Sequence, residues 1–367
     1  MPLLNVVMAT RRRPSARGGV ERVVTGLVGA LGQQRPAWRV DAVSASWQGG
    51  AWTDRIPGLS DVIASLRLGW RLRASTADVV FLHCPECFWG IRLRRRRRGR
   101  RHPRPAVIAV WHGAGPRRFL VLRRPGHPLA YALAWLRTIQ EVLALSADGH
   151  VAVHESVARD LRSVYGLDKP VTVAENAVDA TILDQLAKSE SDAGPDDDSG
   201  LTALWLGQTG YGKGLDVALA AVAEARRELP HLRLIVAGVP AGDPIEGVEW
   251  RGEVSPAEVT ELYRQADLLI FPSRYEAFGL VVIEAMAAGL PVLVSDDVPA
   301  GIVTDGRNGV VITGHNPSRY AAALADLADD AVRAAMSKAA LEDVRYFSAD
   351  SMTAAYVAVA ESFAGIQ

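Results

Sequence analysis

Two glutamates separated by seven residues are the feature of this sequence most able to do chemistry. Glu276 follows an apolar segment that ends at Pro272, and Glu284 lies within the apolar run Leu280–Ala288. A strand ending at Pro272 and a helix beginning near Phe278 would place one carboxylate at the helix entrance and the other along the helix. The pair could then bind different hydroxyl groups of one ligand. The alternative is a capping acid and an ordinary helix residue, although an unpaired carboxylate is costly to bury.

The start of that helix is a second reason to expect a ligand. The backbone N–H groups of a first helical turn have no partner within the helix, and the helix dipole adds partial positive charge there. Such a helix end favours a phosphate group. Gly289 is expected to end the helix, and Pro291 to precede the next strand. The segment therefore predicts an anion site beside two carboxylates.

A glycine-rich loop with one lysine precedes another predicted helix. Residues 204–215 read LWLGQTGYGKGL, so that a strand, a loop beginning at Gly207 and a helix beginning near Leu215 follow one another. Glycines let the backbone approach an anion, and Lys213 could neutralise charge on a diphosphate leaving group. Glycine turns followed by an exposed lysine are common, so the pattern alone is moderate support for this role.

The N-terminal half carries weaker candidates. Gly18 and Gly19 precede a predicted helix, where a glycine pair is usually a turn. His112 ends an apolar strand and is a candidate for a functional histidine, whereas His83 is expected to be structural. Cys84 and Cys87, the only two cysteines, form a lone C-x-x-C that is weak support for zinc or redox chemistry, and a structural role is expected.

The long segment around the two glutamates resembles a known family signature. Residues 271–292 read FPSRYEAFGLVVIEAMAAGLPV, and this is similar to the Pro-Ser-x-x-Glu-x-Phe-Gly-Leu-x-x-x-Glu-Ala-Met-Ala-x-Gly-x-Pro-Val signature of glycosyltransferase family 4. The resemblance implies a GT-B fold and transfer of a hexose-type sugar from a nucleoside-diphosphate sugar, UDP- or GDP-linked, to a hydroxyl acceptor. It also implies retention of configuration, with no obligatory metal or other cofactor.

The resemblance assigns a role to each candidate. Glu276 would contact hydroxyls of the donor sugar and Glu284 the ribose, while the backbone of Phe278, Gly279 and Leu280 approaches the sugar and the diphosphate. Lys213 would bind the diphosphate from the loop that contains Gly207. Further donor contacts would come from the backbone of Gly18 and Gly19, from His112 near the sugar, and from the segment Val248–Val254, including Glu253 and Val254, at the nucleobase.

One position departs from the family pattern. Gln208 stands where the family usually has an arginine. A neutral amide donates hydrogen bonds but adds no charge, so diphosphate affinity and donor choice are expected to differ. A non-catalytic nucleotide-sugar-binding protein is the alternative that this position suggests, and an epimerase or phosphorylase on the same fold is another.

The surrounding elements predict two Rossmann-like domains of the α/β class. Apolar runs alternate with helix-length segments, and the acidic stretch Ser189–Gly200 is typical of a linker or exposed loop. We expect an N-terminal domain over 1–185, a nucleotide-sugar-binding domain over 186–347 and a terminal helix over 348–367 that returns to the first domain. In such sheets ligands bind at the carboxyl ends of the strands, so an interdomain cleft is expected.

Charge differs sharply between the two halves. Residues 1–185 hold 28 Lys and Arg against 14 Asp and Glu, and residues 186–367 hold 13 against 27. The run Arg94–Arg98 could be a solvated loop, or it could contact an anionic membrane or phosphorylated acceptor; nucleic acid is not expected because interleaved aromatic residues are lacking. The chain enters an apolar strand at once and has no apolar stretch of membrane-spanning length. A cytoplasmic location is therefore expected, either free or peripheral on the inner membrane face.

Overall fold

The computed structural model describes residues 4–11, 18–45, 59–73, 75–88, 90–91, 104–114, 138–187, 200–208 and 210–365. The run Arg94–Arg98 and most of the stretch Ser189–Gly200 lie outside these residues. Contacts divide the described chain into two compact units, one of residues up to Ala177 together with Ala349 onward, and one over Val178–Ser348. The sequence-based division at residue 185 stays a prediction.

The first unit is built on a six-stranded sheet in which every neighbouring pair is parallel. Its strands are β1 (Asn5–Thr10), β2 (Arg39–Ser44), β3 (Val79–Leu82), β4 (Ala106–Trp111), β5 (Gly149–Ala152) and β6 (Val171–Val173), in the order β2-β1-β3-β4-β5-β6. Helices α1 (Gly19–Gln34), α2 (Leu59–Arg73) and α3 (Glu155–Tyr165) connect them. The order reverses between β1 and β3, so their carboxyl ends form a switch point where ligands bind in doubly wound sheets.

The second unit repeats this architecture. Its parallel strands are β7 (Thr202–Leu206), β8 (Arg233–Ala237), β9 (Val248–Gly252), β10 (Leu268–Phe271), β11 (Val292–Ser295) and β12 (Gly309–Ile312), in the order β12-β11-β10-β7-β8-β9. Its helices are α4 (Ala180–Ala187), α5 (Leu215–Ala225), α6 (Pro256–Gln265), α7 (Leu280–Ala287), α8 (Pro317–Asp326) and α9 (Asp330–Asp343). The switch point lies between β7 and β10. The loop that contains Lys213, residues 207–214, follows β7 and is called the lysine loop below, and Glu276 follows β10.

Burial explains why these segments form strands. Every residue of β7 and of β10 is buried, as expected for parallel strands covered on both faces. Trp205 of β7 shares one apolar cluster with Ala218 and Ala221 of α5 and with Tyr320 and Leu324 of α8. The expected α/β class with two Rossmann-like sheets is confirmed.

The last helix, α10 (Ala349–Ala364), packs on the first unit. Its Tyr356 ring lies 5.0 Å from the ring of Phe81 in β3. Glu361 accepts a 3.4 Å hydrogen bond from Arg35, just after α1. A Cβ atom on Gly149 would come within 2.6 Å of the Phe363 ring, so β5 and α10 approach closely because this residue is glycine.

Some predicted boundaries were wrong. The helix expected to begin near Phe278 begins at Leu280, because Gly279 adopts a left-handed conformation (φ +97°) before it. The apolar run Asp41–Ser46 predicts a strand there, but the strand is Arg39–Ser44, an edge strand in which only one of six side chains is buried, so that its apolar pattern is weak. In the described part of the chain, no helix has both the length and the apolar character needed to cross a membrane.

Candidate functional site

The lysine loop is fastened to the end of β10 by a close backbone approach. Gly214 caps α5 in the left-handed region (φ +70°), where other L-residues are strained. A Cβ atom there would lie 1.9 Å from the carbonyl oxygen of Pro272, so that only glycine fits. The indole N–H of Trp205 donates a 3.1 Å hydrogen bond to the carbonyl of Lys213. The backbone around Lys213 is therefore fixed by the two central strands.

Arg274 is a second fastening, which sequence reasoning did not identify. Its guanidinium donates two 2.8 Å hydrogen bonds to Asp216 and one of 2.7 Å to the carbonyl of Tyr211, and it lies 4.3 Å from the centre of the Tyr211 ring. Its backbone N–H donates a 3.0 Å bond to Gly212. Desolvation opposes ionisation of Asp216, but the hydrogen bond and charge of Arg274 outweigh it and lower the pKa of this carboxyl.

The structure brings Lys213 and Glu276 together. The ammonium of Lys213 forms an ion pair with Oε1 of Glu276 and lies 5.5 Å from the centre of the Phe271 ring. The side chains are 24% and 10% exposed, so the pair is largely shielded from water. Ser273 Oγ lies 3.4 Å from the same carboxylate oxygen. The ammonium of Lys213 and the carboxylate of Glu276, two of the predicted donor-binding groups, thus lie together at the switch point, and their roles stay predictions.

Glu284 is buried, but it has a partner. The residue is 1% exposed on α7, and its carboxylate accepts a 3.0 Å hydrogen bond from the hydroxyl of Tyr263 on α6. Tyr263 is itself 1% exposed. The sequence analysis treated Glu284 as a carboxylate that would be costly to bury without a partner, but the Tyr263 hydroxyl is such a partner. The ribose contact of Glu284 stays a prediction.

The segment between the two glutamates turns sharply. Phe278 is buried, with its ring edge-on to Phe347 at 5.6 Å. Gly279 follows with its positive φ, and Leu280 begins α7, so the first-turn N–H groups of α7 follow directly after Glu276 and Phe278. This order agrees with the predicted anion site, although no contact with an anion tests it.

The remaining donor candidates of this unit follow the carboxyl ends of β7 and β9. Gly207 and the exposed Gln208 follow β7, and the exposed Glu253 and half-buried Val254 follow β9. A Cβ atom on Gly207 would meet the Trp205 ring at 2.9 Å, so glycine permits this turn. All four residues lie at the carboxyl ends of the strands, where the site was expected. Their contacts with a donor stay predictions.

In the first unit, the candidates gather at the carboxyl ends of β1, β3 and β4. A cavity of about 150 Å³ is lined there by charged, polar and cysteine side chains, among them Arg11, Glu21, His83, Cys84, Glu86 and His112. Gly18 caps α1, beginning at Gly19, and the carboxylate of Glu21 folds back over Gly18. His83 and His112 lie in hydrogen-bonding contact, with 3.0 Å between Nδ1 and Nε2.

The cysteines have no metal-binding arrangement among the described residues. Cys84 and Cys87 are buried and not disulfide-bonded. The hydrogen bond to Cys87, reinforced by burial, raises the pKa of the Cys84 thiol. Within the described residues, no three His, Cys, Asp or Glu side chains are placed to hold a metal ion. The structural role expected for the C-x-x-C stays a prediction.

Two family models match the chain on either side of residue 190. The model described as Glycosyltransferase Family 4 matches residues 17–181, and the model described as Glycosyl transferases group 1 matches residues 200–330.

Curated relatives match part of their length. D-inositol 3-phosphate glycosyltransferase of Streptomyces avermitilis is 37% identical over 178 residues, 42% of this chain and 38% of the relative. The protein of the same name from Stackebrandtia nassauensis is 32% identical over 252 residues, 59% of this chain and 55% of the relative. The chain thus spans between about two fifths and just over half of these relatives.

Solved structures with the same fold cover almost the whole chain. Sucrose-phosphate synthase from Thermosynechococcus elongatus superposes with a TM-score of 0.79 at 18% identity, covering 99% of this chain and 100% of that one. Anabaena HepE, solved with UDP and glucose, has a TM-score of 0.65 at 14% identity, covering 97% and 99%. The fold is therefore GT-B, and the chain resembles glycosyltransferases in both halves, through the Glycosyltransferase Family 4 model over residues 17–181 and the Glycosyl transferases group 1 model over residues 200–330.

Proposed function

We propose that this protein transfers a hexose-type sugar from a nucleoside-diphosphate sugar to a hydroxyl acceptor, with retention of configuration. The observation that carries the proposal is the Lys213–Glu276 pair at the switch point between β7 and β10. The structural neighbour solved with UDP and glucose supports a nucleotide-sugar donor, and UDP- or GDP-sugars are the donors to test first. Retention rests on the resemblance to glycosyltransferase family 4.

The residues divide the work of bond breaking. As the bond between the sugar and the diphosphate breaks, negative charge develops on the diphosphate, and Lys213 with the first-turn N–H groups of α7 would stabilise it. Glu276 and His112 would position the sugar. No residue is a secure covalent nucleophile, so we adopt the front-face displacement that the family resemblance implies, in which the acceptor hydroxyl attacks from the side of the departing diphosphate.

In the proposed reaction, donor binding opens the ion pair between Lys213 and Glu276. A diphosphate oxygen would replace Glu276 as the partner of Lys213, and the carboxylate would then be free to accept hydrogen bonds from sugar hydroxyls. A single exchange of partners would thus place Lys213 on the diphosphate and Glu276 on the sugar when the donor binds. Arg274, tied to Asp216 and Tyr211, would keep the backbone fixed during this exchange.

Donor hydrolysis and nucleotide binding test the proposal directly. A thermal-shift series with uridine and guanosine, their diphosphates and their diphosphate sugars should show stabilisation that depends on the diphosphate, because a ligand of the native state raises Tm with affinity. Slow hydrolysis of the stabilising sugar nucleotide should follow and should be lost in Glu276→Ala. Stabilisation without hydrolysis or transfer would favour the non-catalytic alternative that Gln208 suggests.

The acceptor is proposed to be anionic or presented at an anionic surface. The relatives above are named for D-inositol 3-phosphate, and the N-terminal half carries the surplus of basic residues. On α2, Leu66 is 40% and Trp70 65% exposed, and the exposed Arg67 and Arg71 follow them by one position each. Tryptophan with basic residues on one helix face suits a lipid interface, so we place the enzyme at the cytoplasmic face of a membrane.

A further inference from the structure

Two histidines from neighbouring strands meet at the cavity of the first unit. His83 follows β3 and His112 follows β4, and Nδ1 of His83 lies 3.0 Å from Nε2 of His112. Their rings are 5.3 Å apart and tilted by 30°. At this distance one nitrogen must donate a hydrogen bond and the other must accept it. The nitrogen that carries the proton in one ring therefore determines which nitrogen carries it in the other.

His83 is held in an apolar place. It is 5% exposed, and its ring stacks on Tyr356 of α10 at 6.0 Å with an interplanar angle of 8°. Burial is the largest cause that lowers the pKa of His83 well below its usual value, and a positive charge on His112 would lower it further. His83 is therefore neutral at physiological pH and carries a single ring proton.

The other nitrogen of His83 indicates where that proton is. Nε2 of His83 is buried and has no hydrogen-bond partner among the described residues. If the proton were on Nε2, the structure would contain a buried N–H group without an acceptor, which is rarer than an unsatisfied acceptor. The proton is better placed on Nδ1, where it is donated to Nε2 of His112.

We propose that His83 is a positioning residue that keeps His112 neutral, with its proton on Nδ1, so that His112 acts as a hydrogen-bond donor and not as a general base. The lone pair on Nε2 of His112 is occupied by the His83 proton, and its other nitrogen already carries hydrogen. No lone pair is left to accept a proton from an acceptor hydroxyl. The contact of His112 with a sugar rests on the proposed function, but the tautomer does not.

Other ionisable groups line the same cavity, namely Arg11, Glu21, Glu86 and Cys84. A positive charge on His112 would be disfavoured by the guanidinium and favoured by the two carboxylates, and the raised pKa of Cys84 keeps its thiol uncharged. These groups stay in place when His83 alone is changed. A comparison of His83 variants therefore isolates the hydrogen bond from the surrounding charge.

The tautomer can be read by nitrogen NMR on protein labelled with ¹⁵N-histidine, with the His112 signals assigned from a His112→Asn sample. In the wild type we expect His112 protonated on Nδ1 alone. His83→Phe keeps the stacking surface for Tyr356 but removes the donor. In this variant Nε2 of His112 is no longer held as an acceptor, so the Nδ1-only pattern of the wild type should be lost.

Two further variants separate the hydrogen bond from packing. His83→Asn offers an amide donor near the position of Nδ1 and should restore the wild-type spectrum in part, whereas Tyr356→Phe, which removes a hydroxyl with no partner among the described residues, should leave it unchanged. A wild-type His112 protonated on Nε2 would overturn the proposal, even if His83→Phe does not fold. An unchanged His112 in folded His83→Phe would do the same.

Activity is measured separately on the same samples. If His112 is a donor to the sugar, His83→Phe should lower kcat, because His112 is then no longer held in the tautomer that donates from Nδ1, and His83→Asn should restore kcat in part. The expected tautomer in a protein that turns over no sugar nucleotide would support the histidine pair and refute the proposed function. The two ideas can therefore fail independently.

Discussion

Lys213→Met tests whether the ion pair with Glu276 serves both stability and chemistry. The change removes the ammonium but keeps an unbranched chain of similar size over Phe271. Glu276 is then left as a carboxylate that is only 10% exposed and has lost its cation. Breaking a buried pair costs about 3–5 kcal/mol and breaking an exposed pair costs about 0–1 kcal/mol. With Lys213 24% exposed, we expect an intermediate loss of about 2 kcal/mol.

The double variant Lys213→Met/Glu276→Gln separates the two effects. It removes both charges together, so most of the lost stability should return, and the coupling between the sites should be about 1–2 kcal/mol. Activity should not return. Loss of one group that stabilises charge in the transition state lowers kcat by about 10²–10³-fold, and the single and double variants should share this defect.

Thermal unfolding and steady-state turnover measure the two quantities on the same protein. A loss of about 2 kcal/mol corresponds to a fall in Tm of roughly 4–8 °C for a domain of this size. Lys338→Met, on the exposed face of α9, is the matched control and should change neither quantity. Additive stability effects in the double variant would show that the two side chains do not interact, and normal turnover by Lys213→Met would remove the lysine from the mechanism.

The other predictions concern the nucleotide, the missing arginine and the membrane. Glu284→Ala should weaken binding of UDP and of uridine alike, whereas Glu276→Ala should chiefly lower kcat; calorimetry and turnover that show neither effect would contradict the donor-site assignment. Gln208→Arg should tighten UDP binding several-fold without affecting uridine, because a guanidinium adds charge and two donors beside the diphosphate; weaker binding would mean that the loop is shaped around glutamine. Binding to vesicles should rise with anionic lipid and fall with salt, and Trp70→Ala should weaken it while Tyr346→Ala, at an exposed aromatic of the second unit, should not. Wild-type protein that ignores anionic vesicles at low salt would instead favour a small acceptor free in solution.

Elements with a strong local pattern were predictable. The apolar runs of β7, β10 and β11 are buried on both faces, and the sequence indicated a strand before Gly207, one ending at Pro272 and one after Pro291. The strand β12 begins at a glycine, and its four residues follow a loop of turn formers, so it was missed. Helices α8 and α9 were also missed, although Asn316 before Pro317 and the capping Asp329 are recognisable start signals.

Partners distant along the chain were not predictable from local patterns. Tyr263 donates to Glu284 across 21 positions, and Arg274 reaches Asp216 across 58. A single sequence contains no signal that joins such positions, because their contact is created by the order of the strands. The glutamates and Lys213 were found because chemistry restricts their types and spacing. The residues that hold them in place are restricted by three-dimensional contact.

The position of β9 at the edge of its sheet fixes a distance within the proposed donor site. Neighbouring strands lie about 4.8 Å apart, and β9 is two strands from β7, so about 10 Å separates Glu253 and Val254 from the lysine loop along the sheet. If those residues contact the nucleobase, the spacing of the strands determines the length of ligand that fits. The base would then be recognised by side chains that lie away from the bond that breaks. Donor choice could then be re-engineered at the end of β9 without disturbing Lys213 or Glu276.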